Sequence, residues 1–489
     1  MGSSELHGPA IFKILQDATN DGFAARLGRL SIHQRKSLDT PDFFPLTSRG
    51  AIPHMTPDNV TARTNLGGVY MALEDFLEVS KKRPYPAIYN VGGEGRRPLH
   101  TYTATPSDMI TVLAARRHTA VTAPTGNGNN YISIFASTGF QQLKKDEYHR
   151  AVDIVKPDIA IPLADLTYSQ STTHATSKRQ LRMVHRTEEW LSEFFNYDRS
   201  SEDSPNLCSY VFAPLLPVNY GTQWEYINRL EEDYAPELSG LAVYDIGILP
   251  DLSNHPALIS LPRLSLHPVN SPHDILRQIH LGIDVFTIPF LNSASDGGVA
   301  LTFVLPQSTE ASGPVQPLGV DMWSQDHQVS VSPLKEGCKC YTCTKHHRAF
   351  LHHLLQAKEM LGWTLLQIHN HHVMTEFFAD VRAALGEGEE NFEKACNVFA
   401  RLYDTEIPQG TGARPRARGY NFKSEGADPK MNPSAWENYN ALAPEDPTLV
   451  KEMAGLAATG ATADGQETPI APQDHAKDLD QKGFAEIDK

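Results

Sequence analysis

The sequence lacks a long hydrophobic run. No stretch of the 489-residue chain approaches the ~18 consecutive apolar residues that a transmembrane helix needs. The opening letters MGSSELHG contain neither the basic region nor the apolar region of a secretory signal. Leu6 stands where an N-myristoylation signal has Ser or Thr. We therefore expect no membrane span, no secretory leader and no myristoyl anchor.

Positive charge is also scarce. Lys and Arg number 43 against 58 Asp and Glu, so the formal net charge is −15, which is the opposite of the basic balance expected of a nucleic-acid binder. Residues 441–489 hold ten acidic side chains and four lysines, a net of −6, which leaves −9 for the remaining 440 residues. Basic clusters at 81–83, 96–97 and 116–117 are interpreted as solvated faces that could still contact RNA phosphates locally. The Arg-rich segment 413–419 predicts either an arm on RNA or a linker.

Cysteine is rare, with five residues in the chain, but three of them lie within six positions. An odd number without a secretory leader favours a reducing compartment over a disulfide framework. The C-x-C-x2-C string of Cys338, Cys340 and Cys343 can bring three thiolates to one ion at the ~2.3 Å Zn–S distance, and a fourth ligand would complete a closed structural zinc site. Seven downstream histidines are candidates for that ligand: His346, His347, His352, His353, His369, His371 and His372.

Short β-rich runs alternate with helical patterns over about 300 residues, which predicts βα units and a parallel sheet. YISIFAS precedes KKDEYHRAVDIV, and YVFAPLL precedes TQWEYINRLEED. The length and the number of units favour closure into a (β/α)8 barrel, with an open doubly wound sheet as the alternative. No GxGxxG opens any of these helices, so the dinucleotide-binding form of the open sheet is unsupported.

Helices are predicted after the cysteine cluster. Apolar residues from Phe350 to Leu361 recur at i, i+4 and i+7, which indicates an amphipathic helix ended by Gly362. A second helix is predicted over residues 371–385. Later the composition changes to Ala, Thr, Asp, Gln and Pro without an apolar period, so residues 410–489 are predicted to form a disordered acidic tail.

The cysteine cluster and a later histidine carry a family resemblance. They read C-x-C-x2-C-x25-H, with His369 followed by Asn370, and this pattern resembles the zinc signature of the tRNA-guanine transglycosylase family, also called queuine tRNA-ribosyltransferases. The resemblance covers residues 10–400 and extends to further segments, namely DGFAARLGRL, TPDFFPLTSRG, SGLAV and LPRLSLHPVNSPHDILRQIHLGIDVF. It implies an α/β fold, an irregular (β/α)8 TIM barrel with an inserted zinc-binding subdomain at about 330–385. It also implies His369 as the fourth ligand, one structural Zn²⁺ per chain and action on the wobble base of a tRNA anticodon.

The departures from the family pattern concern its carboxylates. Catalytic members attack the ribose with an Asp directly after a Gly-x-Asp-x-Phe segment; here that segment is 282–286 and Thr287 follows it. The second carboxylate position of the family is Ala136. A third, which reads the base edge, matches Ala164, although a one-residue shift would supply Asp165. A hydroxyl or a methyl group cannot replace an ionised carboxylate that offsets developing positive charge, so the resemblance implies that no catalytic residue is present.

Two nearby acids could in principle replace the missing nucleophile. Asp284 lies three residues before Thr287, and an odd offset on a strand points to the opposite face. Asp296 lies nine residues after Thr287, in a stretch that we interpret as a Ser/Gly-rich loop. Neither replaces the nucleophile without a large rearrangement.

The resemblance therefore implies a non-catalytic accessory subunit of a queuine tRNA-ribosyltransferase. It would form a heterodimer through its zinc subdomain with a catalytic subunit, which exchanges guanine for queuine at the wobble position of tRNAs with GUN anticodons. We expect a cytoplasmic protein, and any association with the mitochondrial outer membrane would be peripheral. One alternative is an active homodimeric transglycosylase with a relocated nucleophile. The other is a zinc-stabilised barrel that binds a partner other than tRNA.

Overall fold

The computed structural model describes nine stretches of the chain: residues 11–17, 24–78, 85–91, 97–123, 126–137, 139–166, 175–200, 209–306 and 313–415. The predicted tail at 410–489 falls outside them from residue 416 onward, as do Cys208 and the basic cluster 81–83. Fifteen strands are present in these stretches: β1 (Phe12–Gln16), β2 (Leu27–Leu30), β3 (Leu38–Thr40), β4 (Asp42–Phe44), β5 (Gly68–Ala72), β6 (Ile110–Ala114), β7 (Tyr131–Ala136), β8 (Gly139–Lys144), β9 (Ile159–Ala160), β10 (Tyr210–Leu215), β11 (Leu238–Val243), β12 (Arg263–Ser265), β13 (Val285–Thr287), β14 (Val299–Leu301) and β15 (Gly319–Asp321).

Eight of the strands form a parallel barrel. They follow one another around it in chain order as β4, β5, β6, β9, β10, β11, β12 and β13. The last strand pairs with the first, since Phe286 lies opposite Phe43. Between β4 and β5 the contact is a single parallel bridge, in which the Tyr70 N–H donates to Pro45 at 3.0 Å and Thr47 N–H donates to Tyr70 at 3.1 Å. This pairing confirms the predicted barrel and excludes the open sheet.

Side chains alternate between the barrel interior and the surrounding helices, as the period of two along a strand requires. Val112, Phe212 and Leu264 belong to the inner apolar cluster, whereas Leu113 and Leu241 belong to the outer one. Gly240 lies in the interior because any Cβ there would come within 2.5 Å of the Phe212 ring. The interior is a packed core, so chemistry is expected at the carboxyl ends of the strands.

In the described part of the chain, twelve α-helices surround and extend the barrel: α1 (Pro57–Arg63), α2 (Pro98–Thr103), α3 (Lys145–Val155), α4 (Ser177–Ser200), α5 (Tyr220–Arg229), α6 (Pro256–Ile259), α7 (Pro272–His280), α8 (Pro289–Gly297), α9 (Tyr341–Lys345), α10 (Arg348–Gln356), α11 (Met360–Glu387) and α12 (Glu389–Leu402). The barrel is irregular, because α6 has only four residues and follows a 3₁₀ segment at Ile246–Asn254. Within the described ranges, no helix has the length and apolarity needed to cross a bilayer.

The helices after the cysteine cluster differ from the prediction. The first ends at Gln356, and Lys358 adopts a left-handed φ of 56° before α11 begins at Met360. Gly362 was predicted to end a helix but lies inside α11, where a Cβ would come within 3.2 Å of Leu354. This close approach between α10 and α11 is a tertiary constraint, and the sequence period does not reveal it. The long helix is fixed to the barrel by Phe378, which stacks on Phe43 with 5.5 Å between ring centroids.

Candidate metal centre and barrel mouth

Three cysteines and one histidine converge beside the barrel. The ligand atoms of Cys338, Cys340, Cys343 and His369 all lie within 4.8 Å of one another. Nδ1 of His369 is 3.4 Å from the sulfurs of Cys340 and Cys343 and 3.8 Å from that of Cys338. Cys340 also begins α9, because its sulfur accepts a hydrogen bond from the Cys343 N–H at 3.2 Å. The four donors are spaced for tetrahedral coordination of one ion.

The orientation of His369 is set from the opposite side of its ring. Nε2 lies 2.9 Å from the Leu301 carbonyl oxygen, so it carries the proton and leaves the Nδ1 lone pair facing the sulfurs. The adjacent Asn370 accepts from the Leu301 N–H and donates to Val299 O and Ser295 Oγ, each at 2.9 Å. The candidate metal centre is therefore tied to α8 and to β14, which pairs with β15 outside the barrel sheet.

The chemistry of this donor set suits a soft or borderline cation. Hydrogen bonds from Cys338 and then Cys340 lower the pKa of the Cys343 thiol, which favours the thiolate form that a metal ion binds. Four protein ligands leave no open position for water.

Two cavities of about 720 Å³ each open at the carboxyl ends of the barrel strands. Cavity 1 lies toward α4 and includes Ala164 and Arg179, while cavity 2 lies toward α8 and includes Asn292 and Asp296. Both are lined by a short set of shared residues, namely Tyr70, Arg117, His118, Thr119 and Ala120. This is the face of a (β/α)8 barrel at which active sites are built.

Thr287 lies at the end of β13, fully buried, and its hydroxyl is already engaged. It donates to the Ser265 carbonyl at 3.0 Å and lies 2.6 Å from Nδ1 of His118. Because the single hydroxyl proton goes to Ser265, His118 must donate from Nδ1, which leaves its Nε2 as an acceptor. Burial lowers the pKa of His118 to about 4, so the ring is neutral at pH 7. His118 is therefore not the base that would activate the Thr287 hydroxyl.

The other two residues that the resemblance aligns with family carboxylates, Ala136 and Ala164, are also uncharged. Ala136 is fully buried at the end of β7, where it pairs with Gly139 across the β7–β8 hairpin. Ala164 lines cavity 1. Its neighbour Asp165 is fully buried outside the cavity lining. The structure therefore places the ungapped match, Ala164, at the cavity wall, and the one-residue shift to Asp165 does not restore a carboxylate there.

The two nearby acids occupy different surroundings. Asp284 precedes β13 at its amino end and forms a buried two-pronged ion pair with Arg26 at 2.7 and 2.9 Å. Asp296 lines cavity 2 and lies 2.5 Å from Nε2 of His54. The interpretation of its segment as a loop was wrong, because residues 289–297 form α8 and bury Asp296 on that helix.

Two arginines at the mouth were misinterpreted as part of a solvated face. Arg116 and Arg117 follow β6 after one intervening residue, Ala115, are only 9% exposed, and both line cavity 1. His118, the next residue, was not singled out at all. Their position in the loop that follows the strand ITVLA is the signal that could have identified them, since loops after barrel strands form the mouth.

Comparison with known proteins agrees with this architecture. Residues 21–405 match the family described as Queuine tRNA-ribosyltransferase. A relative from Schizosaccharomyces pombe (strain 972 / ATCC 24843) is 33% identical over 446 residues, covering 91% of this chain and 96% of the relative, and is named Queuine tRNA-ribosyltransferase accessory subunit 2. Relatives of the same name from Drosophila mojavensis and Drosophila melanogaster are 26% identical, over 74% and 77% of this chain and 86% and 89% of their own. The chain belongs to the queuine tRNA-ribosyltransferase family.

Proposed function

We propose that this chain is a non-catalytic accessory subunit of a queuine tRNA-ribosyltransferase. It would support a catalytic partner in exchanging guanine for queuine at the wobble position of GUN-anticodon tRNAs. The observation that carries the proposal is that the three positions which the resemblance assigns to the family's carboxylates hold side chains without a carboxylate, namely Thr287, Ala136 and Ala164. The relatives named accessory subunit 2 support the same assignment.

The chemistry explains why these replacements matter. Displacing a base from a ribose develops oxocarbenium-like positive charge, which an ionised carboxylate offsets and then captures as a covalent intermediate. The Thr287 hydroxyl is neutral and its proton is committed to the Ser265 carbonyl. Each missing charge removes an electrostatic contribution of the kind that dominates such catalysis.

The partner would dock on the metal-binding subdomain. Several large apolar side chains of this region are exposed: Val329, Val331, Met360 and Leu361. Large exposed apolar side chains such as these are favourable sites for contact with another protein. A heterodimer with a catalytic subunit would cover them.

The metal is proposed to be zinc. Three thiolates and one imidazole at tetrahedral spacing fit Zn²⁺, which has no redox chemistry and accepts this donor set in structural sites. The clustered thiols fit a reducing compartment, so we propose a cytoplasmic location with any mitochondrial outer-membrane association peripheral.

Labelled guanine exchange into a GUN-anticodon tRNA tests the function directly. The purified chain alone is expected to give no exchange above background, the catalytic subunit alone little, and the mixture full exchange. Exchange by this chain alone would support the active homodimer instead. A mixture no faster than the catalytic subunit would support a barrel that serves a partner other than tRNA. A tRNA with a different wobble base serves as the substrate control.

Restoring one carboxylate is expected not to create an enzyme. In Thr287→Asp, the new carboxylate would face the Ser265 carbonyl and be attracted to His118, whose pKa should rise from about 4 toward neutrality. Exchange by the isolated variant should stay at background because Ala136 remains neutral. The matched variant Thr287→Asn should leave the His118 pKa low. Titration of His118 by NMR and the exchange assay check both parts, and turnover by isolated Thr287→Asp would show that the second carboxylate is dispensable.

A further inference from the structure

The wall of cavity 1 is positively charged. Three arginines contribute to its lining, Arg116, Arg117 and Arg179, and none of the described lining residues is Asp or Glu. The remainder is largely apolar, with Leu266 and the ring of Tyr70 among the lining residues. A volume of about 720 Å³ is in the range of cavities that hold small organic ligands.

A hydrogen-bond network keeps the nearest carboxylate behind this wall. Arg116 donates to Ser133 O at 2.7 Å and to Oδ1 of Asn127 at 2.8 Å. Asn127 in turn donates to Asp165 at 2.7 Å. Arg179 and Arg186 donate to the two oxygens of the same carboxylate at 2.8 and 3.0 Å. Two arginines therefore pair with the single Asp165 carboxylate. Together with Arg116, the network has a net positive charge beside cavity 1.

Arg117 adds a further guanidinium group, and it lines both cavities. Its guanidinium pairs with Asp75 at 2.5 Å and lies 3.8 Å from Glu74. Both of these carboxylates are buried outside the cavity lining. Nη1 of Arg117 is buried and, apart from this 3.8 Å ion pair with Glu74, has no hydrogen-bond partner within the described residues. An acceptor group in the cavity would give this donor a hydrogen bond.

The donor-rich wall favours a ligand that carries an anion. The N1–H and N2–H donors of guanine find no carboxylate at Ala164, and its O6 and N7 acceptors are neutral, so they bind guanidinium groups less strongly than a charged phosphate does. A phosphate monoester offers acceptor oxygens to the guanidiniums, and an attached ring can lie on Tyr70 and Leu266. We propose that cavity 1 binds an aromatic organic anion of the nucleoside monophosphate class, with its phosphate at Arg116 and Arg179. This inference does not depend on the proposed accessory role.

Calorimetric titration of the full chain with five probes tests the proposal. Guanosine 5′-monophosphate is expected to bind at least about tenfold more tightly than guanosine, because a charge-assisted phosphate contact is lost in the nucleoside. Orthophosphate lacks the ring and guanine lacks the anion, so both should bind more weakly still. Uridine 5′-monophosphate should bind comparably to the guanosine nucleotide, since the ring contacts are apolar.

Substitutions at the cavity wall locate the site. Ala164→Asp places a carboxylate in cavity 1 and should weaken guanosine monophosphate binding by about tenfold or more, while the neutral, similarly sized Ala164→Asn should change it less than about threefold. Arg179→Gln leaves Arg186 to pair with Asp165 and should weaken binding by about tenfold. Melting curves of all three variants establish that they are folded before the affinities are compared.

Three outcomes would overturn the proposal. The first is absence of guanosine monophosphate binding to the unmodified chain. The second is equal affinity for guanosine and its monophosphate. The third is unchanged nucleotide affinity in both folded Ala164→Asp and Arg179→Gln. A GUN anticodon stem-loop RNA is titrated in parallel. If that RNA binds and is weakened by Ala164→Asp while the free nucleotide does not bind, the anion belongs to RNA and the small-molecule assignment is wrong.

Discussion

Cys340→Ser is expected to abolish metal retention and to destabilise the metal-binding subdomain by several kcal/mol, at least about 3 kcal/mol. Cys340 is the most buried of the three thiols, at 4% exposure; it belongs to the candidate metal centre and also begins α9. Serine keeps the shape but offers a poor ligand for a soft or borderline ion. The purified variant should contain no stoichiometric zinc by atomic emission and should unfold in urea in two separated transitions.

The loss of stability in Cys340→Ser should extend beyond the four candidate metal ligands. His369 and Asn370 connect the candidate metal centre to Leu301 and Val299 of β14. Without the ion, the His369 ring has no fixed partner on its Nδ1 side, and the contact between α11 and the barrel should loosen. We expect Cys340→Ser to lose co-elution with the catalytic subunit and the exchange activity of the mixture together.

Cys396→Ser supplies the control for this experiment. Cys396 lies on α12, outside the candidate metal centre, and burial raises the pKa of its thiol to about 12, so it is a neutral packing group. Its serine variant should keep one zinc per chain and full association with the partner. Retention of stoichiometric metal by Cys340→Ser, or loss of metal by Cys396→Ser, would contradict the assignment of the centre.

The metal ligands show what sequence spacing can and cannot establish. The three cysteines follow from their spacing, because residues this close on a turn must lie near one another. Spacing alone left seven histidines open, and the family resemblance selected His369. On α11, His371 lies about 200° around the helix from His369, and its Nδ1 contacts the Gln367 carbonyl instead. Only the rotation of α11 against β14 decides between them, and that rotation is set by tertiary packing.

The same distinction holds at the barrel mouth. Alternating strand and helix patterns predicted the barrel, since periodicity is a local property of the chain. The interpretation of Arg116 and Arg117 as a solvated face was wrong because their partners are distant in sequence, such as Asp75 for Arg117. Asp165 lies behind the cavity wall, where it pairs with Arg179 and Arg186 on α4. No local sequence pattern predicts that pairing.

Asp284→Ala is expected to destabilise the whole barrel by about 3–5 kcal/mol, since removing one partner of a buried ion pair leaves an uncompensated charge. Arg26 and Asp284 are 2% and 1% exposed at their side chains. Asp284 also accepts from the Arg263 N–H at 2.8 Å. Urea unfolding followed by circular dichroism should show the lower midpoint. The exposed pair Arg29–Asp39 provides a matched control, because Asp39→Ala removes a solvated carboxylate and should hardly move the midpoint.

This variant also tests whether Asp284 is a relocated nucleophile. Its carboxylate lies at the amino end of β13 and is held by Arg26 and the backbone of β12, while the two cavities open at the carboxyl ends of the strands. At a temperature where Asp284→Ala is folded, exchange by the mixture with the catalytic subunit should stay within about twofold of the unmodified complex, because a residue that touches no reacting atom leaves the transition state unchanged. A folded Asp284→Ala protein that has lost exchange by orders of magnitude would instead place the nucleophile in this chain. If Asp284 has only a structural role, Asp284→Ala lowers the urea midpoint and leaves exchange by the mixture unchanged. Urea unfolding and the exchange assay measure these two effects separately.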